Sequence, residues 1–145
     1  MADPDAEGRE AELPAAAAQL VQERDDEAFE YTQISEDTAG KEVPIAQMMW
    51  RGARAKVLAR RGQGQEAEAL AREGVAIIEE TDYVLYHADA LQDLAEVLRL
   101  QDRSSEAATA AEEAWLLYEQ KGNVVAARKV HALLEAMRSG IPAGS

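Results

Sequence analysis

Apolar side chains recur along this chain at spacings of three and four, the period of helices that bury one face. Ala67, Leu70, Ala71, Val75 and Ile78 share one such face, and Leu91, Leu94 and Leu98 form another stripe. Glycine and proline punctuate these runs. Pro14 opens a first helix over about residues 14–22, since proline at the first helical position sacrifices no needed donor. Asp25 or Asp26 caps a second, which runs to about Thr38 and is ended by Gly40. Pro44 opens a third, carrying Met48, Trp50, Val57 and Leu58, which Gly62 stops. The fourth and fifth cover about residues 65–80 and 83–100. Ser104 caps the sixth, which ends near Gly122, and Asn123 caps the seventh, with Val130, Leu133, Leu134 and Met137, to about Arg138. The pattern predicts seven helices and no strand, because valine, isoleucine and threonine are too sparse for a sheet. Residues 1–10 carry Pro4, Gly8 and many charges without an apolar period and are expected to be a disordered acidic tail. Residues 139–145 are expected to be a flexible tail, leaving 11–138 as one domain.

The helices repeat. Residues 47–82 align without a gap on 87–122, with identity at eight positions: Ala55 with Ala95, Val57 with Val97, Leu58 with Leu98, Glu66 with Glu106, Ala67 with Ala107, Ala71 with Ala111, Glu73 with Glu113 and Glu79 with Glu119. A fainter copy precedes them, with Glu27-Ala28 before Glu66-Ala67. A period near forty with two helices per unit is the sign of a helical array. A helix pair is too small to bury its own apolar face, so stacking on the next pair completes the core. The units fall at about 11–40, 44–81 and 83–121, with a final helix over 123–138.

The run of a long apolar helix, a short turn and Glu-Ala opening a second helix resembles the tetratricopeptide repeat, in a version longer than usual. Ala55 and Ala95 stand where that family favours glycine, and Glu79 and Glu119 where it favours proline. WRGARAKVLARRGQGQEAEALAREGVAIIEETD, DALQDLAEVLRLQDRSSEAA and LYEQKGNVVAARKVHALLEA are similar to the C-terminal repeat region of large bacterial, especially actinobacterial, signalling proteins. Those join a nucleotide cyclase or regulatory domain to an ATPase module. The resemblance spans about residues 26–138. It implies an all-α, right-handed superhelical stack of antiparallel helix pairs and an interaction role, with no activity carried over.

Composition narrows the chemistry. Hydrophobic residues make up 47% of the 145, yet 30 are alanine and aromatics reach only 5%, so the core must come from closely approaching helices. A net charge of -13 repels phosphate backbones and argues against nucleic acid. The absence of cysteine removes disulfides and thiolate chemistry. With no apolar run near the roughly 20 residues that span a bilayer, and an acidic start unlike a secretion signal, a cytoplasmic protein without membrane association is expected. His87 and His131 lack a second histidine at ligand spacing, so neither metal nor cofactor is expected. Gly62 and Gly64 lack the spacing and lysine of a phosphate loop. The adjacent pairs Glu79-Glu80 and Glu112-Glu113 point about 100 degrees apart on a helix and cannot share a proton. The chain is not expected to be an enzyme.

Arg51 and Arg54, beside Trp50, require carboxylate partners if buried. If partly open, tryptophan and arginine would instead make a binding spot. In a stack of helix pairs, the first helix of each pair lines a concave face. Met49, Lys56 and Arg60 are expected there in one unit, and Asp89, Gln92, Glu96 and Arg99 in the next, holding a protein or peptide segment. The alternative is a spacer, or a homo-oligomer joined through the first helix, AELPAAAAQLVQ, or through a seventh helix whose Val130, Leu133 or Met137 stays partly open.

Overall fold

A computed structural model describes residues 6–140, with side chains from residue 15 onward. Among the described residues there are six helices and no strand: α1 (Ala6–Thr38), α2 (Pro44–Arg60), α3 (Gly64–Glu79), α4 (Val84–Leu100), α5 (Ser104–Gln120) and α6 (Val124–Arg138). Each packs on the next, and α2 also packs on α4.

The expected first and second helices are one. The backbone stays helical from Ala6 past Pro14, Asp25 and Asp26 to Thr38. Residues 1–5 and 141–145 lie outside the described residues. The physical reason is that Asp25 and Asp26 do not cap anything. Their carboxylates take Arg60, the last residue of α2, and Arg61 just after it, and the glutamates and alanines around them are good helix formers. Ser104 likewise is the first residue of α5 rather than its cap; Arg103 holds the cap position without a side-chain capping bond. Asn123 does cap α6, its side-chain oxygen accepting from the Ala126 amide at 3.1 Å. Pro44 opens α2.

The forty-residue spacing is written into burial as well as sequence. Helices start at 44, 84 and 124, and at 64 and 104. Of the identical pairs, Ala55/Ala95, Val57/Val97, Leu58/Leu98, Ala67/Ala107 and Ala71/Ala111 are buried, while the three glutamate pairs are exposed. Gly74 and Ala114 are both buried. The Cα of Gly74 faces the Met48 carbonyl of α2, a close approach that only small residues permit. Among the inward residues of α1 and the one following it, Ala28, Thr32, Ser35 and Ala39 keep the spacing of Ala67, Ala71, Gly74 and Ile78.

The turns repeat too. After α2, Gly62 takes φ 81° and the Gln63 amide donates to the Leu58 carbonyl at 2.9 Å. After α4, Asp102 takes φ 59° and the Arg103 amide donates to the Leu98 carbonyl at 3.0 Å. This is the closing geometry of a helix whose next residue adopts the left-handed region. The core runs continuously from Ala55 and Leu58 through Leu94 and Tyr118 to Leu134 and Met137, with a smaller cluster of Met48, Ile78 and Ala90.

Candidate functional site

The face shared by α2 and α4 is organised around Lys56. Its ammonium lies 3.1 Å from the Asp93 carboxylate, and Asp93 can reach it because Gly52 leaves room. A methyl group on Gly52 would stand 2.2 Å from Asp93 Oδ2. One lysine here answers several acids. Burial alone would lower the Lys56 pKa, but Asp93 and Glu96 outweigh it and hold the ammonium above its ordinary value. Burial raises the Asp93 carboxyl, and Glu96 and Asp89 add to this beyond what Lys56 takes back. The two shifts have different leading causes: neighbouring acids hold the proton on Lys56 against burial, whereas burial itself is the first reason Asp93 holds one.

Asp89, one turn before Asp93 on α4, and Gln92, its immediate neighbour, meet the Tyr118 hydroxyl of α5. Tyr118 is 1% exposed, and burial, followed by the Asp89 carboxylate, pushes its phenol far above the ordinary value. A phenol has one proton to give. Its hydroxyl is aimed at the Asp89 carboxylate, with the Gln92 side-chain oxygen a second acceptor at 3.2 Å. Tyr118 thus fixes the direction of two side chains on this face.

Arg60 was expected on the same face, but it turns to α1. Its Nε and Nη2 donate to Asp25 at 2.7–3.0 Å, and Asp25 is 9% exposed. Trp50 is 6% exposed, so it is not an open binding residue. The Arg51 and Arg54 guanidinium groups lie 4.3 and 4.6 Å from its ring. Each has a carboxylate: Arg51 meets Glu73 of α3 at 3.2 Å, and Arg54 meets Glu36 of α1 at 2.9 Å. Arg54 Nε also donates to the buried Thr32 hydroxyl at 3.1 Å. These arginines therefore tie α2 to both neighbours.

Of the residues expected on the α2–α4 face, Lys56 meets Asp93 across it with Glu96 near enough to act on its charge, Asp89 and Gln92 meet Tyr118 of α5, and Met49 is 56% exposed. Arg99 is half-buried near the end of α4. The residues missed from sequence are Asp93 and Tyr118. Asp93 had one signal, a charge immediately before the core residues Leu94 and Ala95. Tyr118 had none beyond its equivalence to Ile78. The two histidines stand apart, His87 on α4 and His131 exposed on α6 with its ring 5.6 Å from Trp115. Among the described residues, no three His, Asp or Glu converge as a metal site, and no helix is long and apolar enough to cross a membrane. Comparison with known protein families, with curated proteins and with solved structures finds no match to this chain.

Proposed function

We propose that the chain is a non-catalytic interaction module, a right-handed superhelical stack of antiparallel helix pairs of the tetratricopeptide type. It holds an extended or helical segment of a partner protein along the face of α2 and α4. The observation that carries this reading is the forty-residue recurrence of helix starts and buried positions, together with the packing of α2 on α4. Packing between helices two apart in sequence supports a serial stack, in which each unit leans on its neighbour. A pre-formed surface of this kind binds with little ordering cost.

The chemistry of the face selects the partner. Asp89, Asp93 and Glu96 outnumber Lys56 there, and Met49 stands exposed beside them. A segment carrying lysine or arginine next to an apolar residue fits that surface, through charge complementarity and one apolar anchor. The resemblance to repeat regions of bacterial signalling regulators supplies the proposed setting, the repeat portion of a cytoplasmic signalling or transcriptional regulator.

Selection of displayed random peptides on the purified chain tests the reading. Basic peptides with an apolar residue should be enriched, and their binding should fall by about tenfold or more with Met49→Ala combined with Glu96→Lys. Enriched peptides that bind this variant as tightly as the native chain would overturn the proposal.

A further inference from the structure

The fold leaves one stripe of α1 bare. Ala17, Leu20, Arg24, Glu27, Tyr31 and Ile34 follow one another at alternating spacings of three and four, the seam pattern of paired helices. At 100 degrees per residue, the centre of the stripe lies about a fifth of a turn from that of Ala28, Thr32 and Ser35, which turn inward. Leu20, Tyr31 and Ile34 are 49%, 71% and 58% exposed. Arg24 and Glu27 are exposed and make no salt bridge among the described residues.

The repeat explains why this stripe is open. Tyr31 is equivalent to Leu70 in α3 and Ala110 in α5. Ala110 is only 6% exposed, and it lines a cleft with Leu91, Leu94 and Leu98 of the preceding helix α4. Among the described residues no helix precedes α1 to cover Tyr31. At the other end of the stack, of the three residues expected to stay partly open, Val130 and Met137 are buried and Leu133 is half-buried. The outward residues of α6 are Val124 and Val125 at its start, 57% and 68% exposed, followed by the polar Arg128, His131, Glu135 and Arg138.

We infer that two copies of this chain associate through the stripe, α1 against α1, antiparallel across a two-fold axis. The order of residues sets both direction and register. Running the stripe against itself brings Ala17, Leu20 and Arg24 opposite Ile34, Tyr31 and Glu27 of a second copy. Apolar then meets apolar, and Arg24 meets Glu27 twice, once on each side of the axis. A parallel pairing would instead set Arg24 on Arg24 and Glu27 on Glu27, which like-charge repulsion disfavours. The seam spans residues 17–34, about 26 Å at 1.5 Å per residue, and the contact is self-complementary, as two-fold dimers require. The stripe lies on α1, away from the α2–α4 face, so this inference stands independently of the proposed peptide groove.

Sedimentation equilibrium of the full chain tests it, with circular dichroism to confirm retained helix. The native chain should dimerise. Tyr31→Glu should give monomer. Arg24→Glu should weaken the dimer by about tenfold or more, and Glu27→Arg added to it should restore the affinity. Because the chain has no native cysteine, register can be read by oxidation. Ala17→Cys with Ile34→Cys should give a disulfide-linked dimer, whereas Ala17→Cys alone should not. A native chain that stays monomeric at millimolar concentration would overturn the inference. So would a dimer indifferent to Tyr31→Glu, no rescue by the charge swap, or cross-linking of Ala17→Cys alone.

Discussion

Lys56 on α2 and Asp93 on α4 are joined at 3.1 Å across a gap that Gly52 keeps open. The glycine has no side chain, and the Asp93 carboxylate occupies the space where one would begin. Glycine inside a helix costs about 1 kcal/mol relative to alanine, and here that cost secures an interhelical ion pair. Gly52→Ala should therefore give no gain in the native chain, because its methyl group displaces Asp93. In an Asp93→Ala background the same change should stabilise by about 1 kcal/mol. Urea unfolding of the four chains measures the coupling, and equal effects in both backgrounds would show that the two residues are independent.

Asp102 offers a simpler stabilisation. It holds φ 59° at the turn position where the preceding unit has Gly62 at φ 81°. A left-handed conformation costs a residue with a Cβ about 1–2 kcal/mol, less for aspartate than for most. Asp102→Gly should raise stability by about 0.5–1 kcal/mol, and Gly62→Ala should lower it by about 1 kcal/mol. Thermal melts of both variants check the pair, and a drop in melting temperature for Asp102→Gly would contradict this account of the turn.

Two carboxylates should act in opposite directions in acid. Hydrogen bonds from Arg103 and Arg72 hold Glu68 below its ordinary 4.5, so its stabilisation is present above that value and is lost as pH falls through the lowered folded pKa. Asp93 lies above its ordinary 3.8 because of burial and neighbouring acids. Its contribution is full below 3.8 and is lost as pH rises through the raised folded pKa. Glu68→Gln should therefore remove a term that increases stability with pH, while Asp93→Asn should remove one that decreases it. Denaturant unfolding between about pH 3 and 6 resolves the two slopes, and changes of the same sign would refute the assignment.

The Arg60–Asp25 pair predicts an asymmetry between its two ends. The Arg60 side chain is 38% exposed and that of Asp25 only 12%. Asp25→Ala leaves an arginine that can turn to water and should cost about 1 kcal/mol. Arg60→Ala leaves a carboxylate covered and without its cation, and should cost about 2–3 kcal/mol. Chemical denaturation decides. The same geometry means that an Arg60→Ala variant reports on how α1 is held rather than on peptide capture.

The helical class, the absence of strands among the described residues, the turns at Gly62 and Gly122 and the forty-residue spacing were all legible in the amino-acid order. Periodicity, helix-forming residues and left-handed turn positions are local properties, expressed wherever the chain meets them. Long-range pairing was not legible. Asp25 was read as a cap because aspartate favours caps, but Arg60 lies 35 residues away and claims its carboxylate, so two expected helices became one. The order of residues does not decide whether Trp50 is core or surface; packing does, with the Arg51 and Arg54 guanidinium groups against its ring. Lys56 was visible as a charge, but Asp93 as its partner depended on a space above Gly52 that exists only when α2 and α4 pack. Sequence alone determined which segments are helical and where they repeat, since those follow from neighbours along the chain. Tertiary structure decided which charges pair, which aromatic is covered and which face of α1 stays open, since those depend on side chains brought together only by packing.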